Sequence, residues 1–191
     1  MSELSPLRIE TERLVLSLPS AEAAPRLVNY FERNQAHLDP WEPRRRPEFF
    51  THTWWAQQLT QNQQEFAEDR SMRLVLTPLE DELGGPVLGV ANFSSIARGP
   101  FQACLLGYSL DAEHEGRGLM FEALQAALGY AFGSLHLHRV MANYQPTNER
   151  SADLLERLGF EKEGFARDYL FLDGAWRDHV LTALSNPAWQ E

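Results

Sequence analysis

A short glycine-containing segment, Gly116-Arg117-Gly118, has the composition and position of an anion-binding loop. It follows an apolar, strand-like segment that ends at Leu110, and it precedes an Ala- and Leu-rich segment typical of a helix. Such a loop aims backbone N–H groups and the positive end of the helix dipole at a phosphate, and Arg117 could add a charge-assisted hydrogen bond. Taken alone, Gly-x-Gly is equally compatible with two glycines that merely end a strand and begin a helix.

Two common phosphate-binding motifs do not fit this segment. The P-loop pattern Gly-x-x-x-x-Gly-Lys-Ser/Thr is absent, which excludes a P-loop NTPase. The dinucleotide pattern Gly-x-Gly-x-x-Gly is also missing, because position 121 is Phe. If the loop binds a phosphate, the ligand therefore belongs to another class.

A second block, residues 143–160, contains Asn148, Ser151 and a closing Gly159-Phe160. Together with the loop and the N-terminal segment Glu10–Leu14, this block resembles the GNAT N-acetyltransferases. The resemblance covers nearly the whole chain and implies one α+β domain over residues 1–191. It implies the GNAT acyl-CoA N-acyltransferase fold, a mixed sheet of about seven strands flanked by about four helices. Acetyl-CoA is the implied co-substrate, and no metal ion is expected.

The resemblance also implies which residues hold acetyl-CoA. The loop and the start of the next helix would bind the pyrophosphate, Asn148 would hydrogen-bond the pantetheine arm, and a backbone N–H near Leu110 would stabilise the oxyanion. The cofactor-binding residues predicted in this way are Leu110, Glu115, Gly116, Arg117, Gly118, Leu119, Met120 and Asn148. Ser151 matches the position where related enzymes place a hydroxyl beside the sulfur, so it is the predicted general acid. The alternative for Ser151 is a solvent-facing helix residue or a local cap.

The base that deprotonates the amine is less well defined by the sequence. An α-amine has a pKa of about 7.7–8, against about 10.4 for a lysine side chain, so a weak base or a water chain suffices for an N-terminus. Glu42 in a proline-rich loop and Asp168 on a late strand are the two candidates, and each could also be an ordinary carboxylate. Trp41 and Tyr108 are predicted to line the acceptor groove, with core packing as the alternative.

Four stretches narrow the resemblance: residues 40–43, 89–94, 118–124 and 174–179. They are most similar to family members that acetylate the N-terminal alanine of a ribosomal protein. The implied reaction is direct acetyl transfer to that α-amine through a tetrahedral intermediate. Two alternatives remain open, namely an acetyltransferase for a small amine such as a polyamine or an antibiotic, and a non-catalytic ribosome-assembly or regulatory module with the same fold.

Local patterns predict the elements that position these residues. Strands are predicted over residues 14–18, 72–77, 87–94, 102–110, 138–145, 160–172 and 176–184. Helices are predicted after Ser20 as an N-cap and over residues 53–69, 119–132 and 148–158. Three prolines predict a loop over residues 37–50, and short links predict an antiparallel meander from residue 72 to residue 110.

Composition sets the remaining limits. The 191 residues carry 17 Lys and Arg against 27 Asp and Glu, a net charge of −10, which argues against direct nucleic-acid binding and suits a basic acceptor. The run Arg44–Arg46 is expected to be a solvated loop. Cys104 is the single cysteine, so neither an intrachain disulfide nor a cysteine-rich metal site is expected.

Segment patterns predict where the protein acts. The segment Met1–Glu10 is polar and does not resemble a signal peptide, and no apolar run reaches the about 18–20 residues of a membrane span. We therefore expect a cytoplasmic protein with no membrane partner. The sequence leaves the oligomeric state open, a homodimer included.

Overall fold

The computed structural model describes residues 7–190, in which eight β-strands form one mixed sheet with five α-helices on its faces. The strands are β1 Arg8–Glu10, β2 Leu14–Ser17, β3 Met72–Pro78, β4 Gly89–Ala97, β5 Ala103–Leu110, β6 Arg139–Tyr144, β7 Glu161–Leu172 and β8 Ala175–Ser185. The helices are α1 Ala24–Arg33, α2 Gln35–Leu38, α3 His52–Ala67, α4 Leu119–Gly133 and α5 Glu149–Arg157. The predicted α+β class is confirmed, with one more strand and one more helix than expected. The single domain over residues 1–191 stays a prediction. The prediction that Met1–Glu10 is not a signal peptide concerns residues 1–6 in part, and these lie outside the described residues.

The additional elements are short. Strand β1 has three residues, which is too few to show a periodic pattern. Helix α2 has four residues and overlaps the segment predicted as a loop. That loop prediction was wrong in part, because Pro40 and Pro47 each lie in the first turn of a short 3₁₀-helix, where the missing N–H has no cost. Ser20 lies at the predicted N-cap position, but of a 3₁₀ turn over Ala21–Ala23 that precedes α1, and its side chain makes no capping hydrogen bond.

The sheet opens at its centre. Its strand order is β1-β2-β3-β4-β5-β6-β8-β7, and every neighbouring pair is antiparallel except β5 and β6. These two parallel strands pair only where Ala103–Leu105 faces Arg139–Met141. Beyond that point, β5 continues to Leu110 and β6 to Tyr144 without a mutual ladder within the described residues. The two strands therefore diverge and leave a gap in the sheet.

A hydrophobic core lies on each face of the sheet. The larger core includes the buried side of α4, with Leu124 and Ala127, and Leu155 of α5 against strands β2 to β6. The smaller core packs Leu27, Tyr30 and Phe31 of α1, spaced along one face of the helix, against α3. The gap between β5 and β6 thus lies between two helical layers held in place by separate cores.

A buried carboxylate, Asp111, joins the end of β5 to α1. Its side chain is 2% exposed and accepts hydrogen bonds from Arg33 Nε (2.6 Å), Asn34 Nδ2 (3.0 Å) and the backbone N of Glu113 (3.0 Å). Burial alone would raise the pKa of Asp111, but the hydrogen bonds from Asn34, Arg33 and His114 lower it to about 2. This network fixes the backbone at the point where β5 leads into the glycine loop.

We expect Asp111→Asn to lower the free energy of unfolding at pH 7 by about 2–3 kcal/mol, since each unit of pKa difference between folded and unfolded states is worth about 1.36 kcal/mol. The folded-state pKa of Asp111 is the lower of the two, so its contribution is complete above about pH 5 and declines as the pH falls toward 2. Urea unfolding at pH 7 and pH 3 should show the wild type losing about half of its advantage over the variant.

Asp69→Asn is the matched control for this experiment, because Asp69 pairs with Arg98 and its side chain is 45% exposed. Its effect on the free energy of unfolding should stay within about 0.5 kcal/mol. Equal losses in the two variants would contradict the role assigned to Asp111.

Candidate active site

The gap between β5 and β6 forms the centre of a cavity of about 1460 Å³. Residues 106–110 of β5 line one side, and residues 143–145 at the end of β6 line the other. Pockets for single drug-sized ligands measure about 300–1,000 Å³, so this cavity has room for parts of two substrates. The place predicted for a pantetheine arm, between these two strands, is therefore open.

The glycine loop forms one wall of the cavity. Gly116 and Gly118 have φ values of +72° and +75°, which L side chains rarely adopt, and Gly118 is the N-cap of α4. A Cβ atom added to Gly116 would have no atom within 4 Å, so the space in front of the loop is free. Leu119 and Met120 continue the wall at the N-terminus of the 15-residue helix α4. This arrangement fits a pyrophosphate bound by backbone N–H groups.

The loop is fixed from behind by Glu122 of α4. The Oε1 atom of Glu122 accepts hydrogen bonds from Thr11 Oγ1 (2.6 Å) and the backbone N of Arg13 (2.8 Å), and Oε2 accepts from Arg13 Nε (2.7 Å). Arg13 in turn donates from Nη1 to the carbonyl of Arg117 (2.9 Å). Arg117 contributes this carbonyl contact, while its side chain is exposed and is not among the described residues that line the cavity.

The start of α5 places Asn148 and Ser151 in the cavity wall. Asn148 Oδ1 accepts a hydrogen bond from the backbone N of Ser151 (3.1 Å), which caps α5 and leaves the Asn148 Nδ2 group to donate to a ligand. Ser151 Oγ lies 2.6 Å from the hydroxyl of Tyr108, and either group can be the donor. Burial raises the pKa of Tyr108 to about 12, so this phenol keeps its proton at neutral pH.

Glu115, next to the glycine loop, contacts both sides of the cavity. One carboxylate oxygen pairs with Arg150 of α5, and the other lies 3.2 Å from His37 Nε2 of α2. Both Glu115 and His37 line the cavity. Glu115 therefore links the loop to α5 and to the segment that carries Trp41 and Glu42.

Trp41 and Glu42 also line the cavity. The Glu42 side chain is 31% exposed and forms an ion pair with Arg45. Burial raises the pKa of Glu42, while the positive charge of Arg45 lowers it, and the net direction is upward. The backbone carbonyl of Glu42 accepts a hydrogen bond from the N–H of Asp173 (3.2 Å), in the turn between β7 and β8. Glu42 is therefore a carboxylate held at the cavity wall.

Most of the predicted site residues meet in this cavity. Those that line it are Trp41, Glu42, Tyr108, Leu110, Glu115, Gly116, Gly118, Leu119, Met120, Asn148 and Ser151. Asp168 lies elsewhere, on exposed β7, where its backbone N–H donates to Asp178 Oδ1 (2.9 Å), and it is not among the described residues lining the cavity. Of the two predicted base candidates, Glu42 therefore lines the cavity and Asp168 does not.

The structure adds a polar wall that the sequence interpretation missed. Arg73 on β3 lies opposite Asn92 on β4, and Asn92 lies opposite Gly107 on β5, so the three residues form a row across the sheet. Gln58 and Asn62 of α3 face the same cavity. These residues come together through strand register and helix packing, which spacing along the chain does not reveal. The one available signal was a large polar side chain within a mostly apolar stretch of each strand, Arg73 in β3 and Asn92 in β4.

His179 on β8 is another lining residue that was not predicted. Its side chain is buried, with 3% exposure, and Nδ1 lies 3.0 Å from the carbonyl oxygen of Arg177. Because a carbonyl only accepts hydrogen bonds, Nδ1 carries the proton in this contact. The neutral ring then keeps its lone pair on Nε2.

Other chemistries find little support in the described residues. Cys104 is buried in β5, and burial raises its pKa to about 12, so it is a thiol at neutral pH. Residues 7–190 contain no group of three or more His, Cys, Asp or Glu side chains placed to hold a metal ion. Within the same residues, no helix is both long enough and apolar enough to cross a bilayer.

A glycine loop at a helix N-terminus, beside two diverging parallel strands, is the arrangement that the resemblance to acyl-CoA-dependent acyltransferases implies. The chain belongs to the GNAT acetyltransferase family, since residues 13–161 match the family described as "Acetyltransferase (GNAT) domain". It is therefore an acyltransferase with acetyl-CoA as its co-substrate, as predicted.

Three proteins illustrate the similarity. The chain is 47% identical over 189 residues to the [Ribosomal protein uS5]-alanine N-acetyltransferase of Escherichia coli (strain K12), covering 98% of this chain and 95% of that protein. The crystal structure of ribosomal-protein-S5-alanine acetyltransferase from Vibrio fischeri superposes with a TM-score of 0.91 at 39% identity, covering 97% and 100% of the two chains. Mycobacterium smegmatis RimJ in complex with CoA-disulfide gives a TM-score of 0.84 at 28% identity, covering 98% and 88%. The predicted likeness to ribosomal-protein-alanine N-acetyltransferases is thus confirmed.

We expect Gly116→Ala to weaken CoA binding about tenfold, because a side chain at positive φ costs roughly 1–2 kcal/mol and the relaxed loop would re-aim its N–H groups. Isothermal titration with CoA measures the effect directly. Gly99→Ala is the matched control, because Gly99 has a φ of +68° and an equally open surrounding, yet lies in the β4–β5 connection. The Gly99→Ala control should lose a similar amount of stability and keep its affinity for CoA. The same loss of affinity in both variants would contradict the binding of CoA by the glycine loop.

Proposed function

We propose that this enzyme transfers the acetyl group of acetyl-CoA to the α-amine of an N-terminal alanine in a ribosomal protein. The observation that carries the proposal is the likeness over 98% of the chain to a uS5-alanine N-acetyltransferase. The cavity is consistent with it, since the Glu42 carboxylate and the hydroxyl pair of Tyr108 and Ser151 all line it. A ribosomal acceptor also implies that the enzyme acts in the cytoplasm.

The glycine-loop end of the cavity is the proposed acetyl-CoA site. Backbone N–H groups of residues 115–120 bind the pyrophosphate, while the Arg117 guanidinium remains free to add a contact from solvent. Asn148 donates from Nδ2 to the pantetheine arm, because its Oδ1 is occupied by the helix cap. The backbone N–H near Leu110, at the end of β5, is the proposed oxyanion donor.

In the proposed reaction the amine attacks the thioester carbonyl directly. A C–N bond forms in the tetrahedral intermediate, and the C–S bond breaks as the intermediate collapses. The amine loses one proton, and the leaving sulfur gains one from Ser151 Oγ. The proton that Ser151 gives up is replaced from solvent. Tyr108 keeps its own proton at neutral pH, and its hydroxyl, 2.6 Å from Ser151 Oγ, orients the serine by a hydrogen bond.

Glu42 is the proposed group that holds the incoming ammonium and accepts its proton. Burial raises the pKa of this carboxyl, which brings it closer to the working pH of a general base. Asp168 remains the second candidate, although it lies outside the cavity wall. Trp41 and Tyr108 are the proposed walls around the acceptor's first residue, and the net charge of −10 suits a basic acceptor.

A peptide assay tests the proposed function. We expect acetyl-CoA and a basic peptide that begins with alanine to yield one added acetyl group at the N-terminus, with one CoA released per peptide. The same peptide with a blocked α-amine should give neither product in mass spectrometry or thiol release. Equal release of CoA with both peptides, or turnover of polyamines in place of peptides, would contradict specificity for the N-terminal amine. No turnover of any amine would favour a non-catalytic module.

We expect Ser151→Ala to lower kcat by about 100-fold or more, because general acid–base catalysis contributes about 10²–10⁴. The Kd for CoA should stay within about twofold of the wild-type value, because Asn148 and the loop are untouched. Steady-state kinetics and titration with CoA measure the two effects. Ser134→Ala, at the exposed end of α4, should change neither value, and an unchanged kcat for Ser151→Ala would exclude it as the acid.

A further inference from the structure

One guanidinium in the run Arg44–Arg46 is buried, contrary to the expected solvated loop. The Arg45 side chain is 6% exposed, whereas that of Arg44 is 75% exposed. The Cζ atom of Arg45 lies 4.6 Å from the ring centre of Phe31 in α1 and 4.9 Å from that of Phe49. The two aromatic rings therefore hold the guanidinium by packing and cation–π attraction.

A buried guanidinium is costly unless it is paired, because desolvation costs several kcal/mol per ion. Arg45 Nη2 pairs with Glu42 Oε2, while Nη1 lies 3.9 Å from Asp39 Oδ1. Nη1 has no hydrogen-bond partner among residues 7–190. Glu42 is therefore the one close hydrogen-bonded partner of Arg45 in the described part of the chain.

Arg45 itself is not among the described residues that line the cavity, whereas Glu42 is. The carboxylate thus stands between the cavity and the guanidinium. Asp39, which is close to Arg45, also acts electrostatically on Glu42. Burial raises the pKa of Tyr30 in α1, and Glu42 in turn helps to raise it. The Tyr30 hydroxyl is therefore neutral at neutral pH, and it hydrogen-bonds Ser109 Oγ at 3.0 Å.

We propose that Arg45 is a positioning residue that fixes the Glu42 carboxylate, in its ionised form, at the cavity wall for the acceptor amine. This inference rests on the proposed function, in which Glu42 receives the ammonium. Arg45 does not contact the substrate, and it acts entirely through Glu42. The rings of Phe31 and Phe49 make the device rigid, because a planar guanidinium packed against two aromatic rings has little rotamer freedom.

The proposal predicts how the variants behave with pH. Burial raises the pKa of Glu42 and Arg45 opposes this, so loss of the positive charge raises the pKa further. The carboxyl group of Glu42 in an Arg45→Met variant would then stay protonated up to a higher pH than in the wild type. The acidic limb of the plot of kcat/KM against pH should move upward by about one pH unit or more, since a neighbouring opposite charge lowers a carboxyl pKa by about 1–3 units.

The experiment compares Arg45→Met and Arg45→Lys with Arg44→Met, using a peptide with an N-terminal alanine. Arg45→Lys keeps the charge and loses the flat, bidentate group, so its acidic limb should lie between those of wild type and Arg45→Met. Arg44→Met removes the same charge from an exposed position in the same loop, and its profile should match the wild type. The Kd for CoA should be unchanged in all three variants. Matching shifts in Arg44→Met and Arg45→Met would overturn the proposal.

A double-variant cycle with Glu42→Gln tests whether Arg45 works through Glu42. Adding Arg45→Met to Glu42→Gln should cost less than about twofold in kcat/KM, because the two groups form one unit. Independent losses that multiply would overturn the proposal. If Arg45→Met fails to melt cooperatively, Arg45→Lys carries the same cycle.

The proposed function and this inference can fail separately. The peptide assay with the wild-type enzyme tests the proposed function, because it shows whether the α-amine is acetylated. An enzyme that acetylates the α-amine, but whose acidic limb is the same in wild type, Glu42→Gln and Arg45→Met, would refute the positioning role alone. An enzyme that turns over another amine refutes the proposed acceptor, and the same pH profiles, measured with that amine, still decide the role of Arg45.

Discussion

The early end of the pairing between β5 and β6 is the constraint on which the rest of the structure depends. The two strands share a ladder only at Ala103–Leu105 and Arg139–Met141, although each continues for several residues. Each strand keeps its other neighbour, β4 for β5 and β8 for β6, so the sheet remains intact on both sides of the opening. The opening therefore has ordered walls, and backbone groups that a normal sheet would use internally become available to a ligand.

The elements around this opening bring the two halves of the reaction together. Helices α4 and α5 begin at its edges and supply a glycine loop and a capped Asn-x-x-Ser turn. On the opposite face, α1 and α3 support the segment that carries Glu42 and Arg45. Buried polar groups such as Asp111 fix the joints between these parts, so the site is built on rigid elements with two separate cores.

Local sequence predicted the elements that act through the backbone. Gly116 and Gly118 adopt positive φ next to the N-terminus of α4, and Asn148 caps the N-terminus of α5. Such backbone positions require particular residue types within a few places along the chain, so the sequence reveals them. The polar wall and the burial of Arg45 were not predictable in this way. Arg73, Asn92 and Gly107 meet through the register of three strands, and Arg45 is distinguished from Arg44 only by the rings of Phe31 and Phe49. Asp168 was a plausible carboxylate by its position in the sequence, yet the bulged and exposed β7 carries it away from the cavity.

The ion pairs behind the glycine loop have a consequence for how salt acts on the enzyme. Arg13 balances Glu122 and Arg150 balances Glu115, so the loop is close to electrically neutral within a chain of net charge −10. An anionic ligand approaching from a distance meets the repulsion of the whole chain, and the helix dipole attracts it only at close range. A cationic acceptor experiences the opposite long-range force. Raising the ionic strength screens both forces, and therefore favours the encounter with one substrate while it slows the encounter with the other.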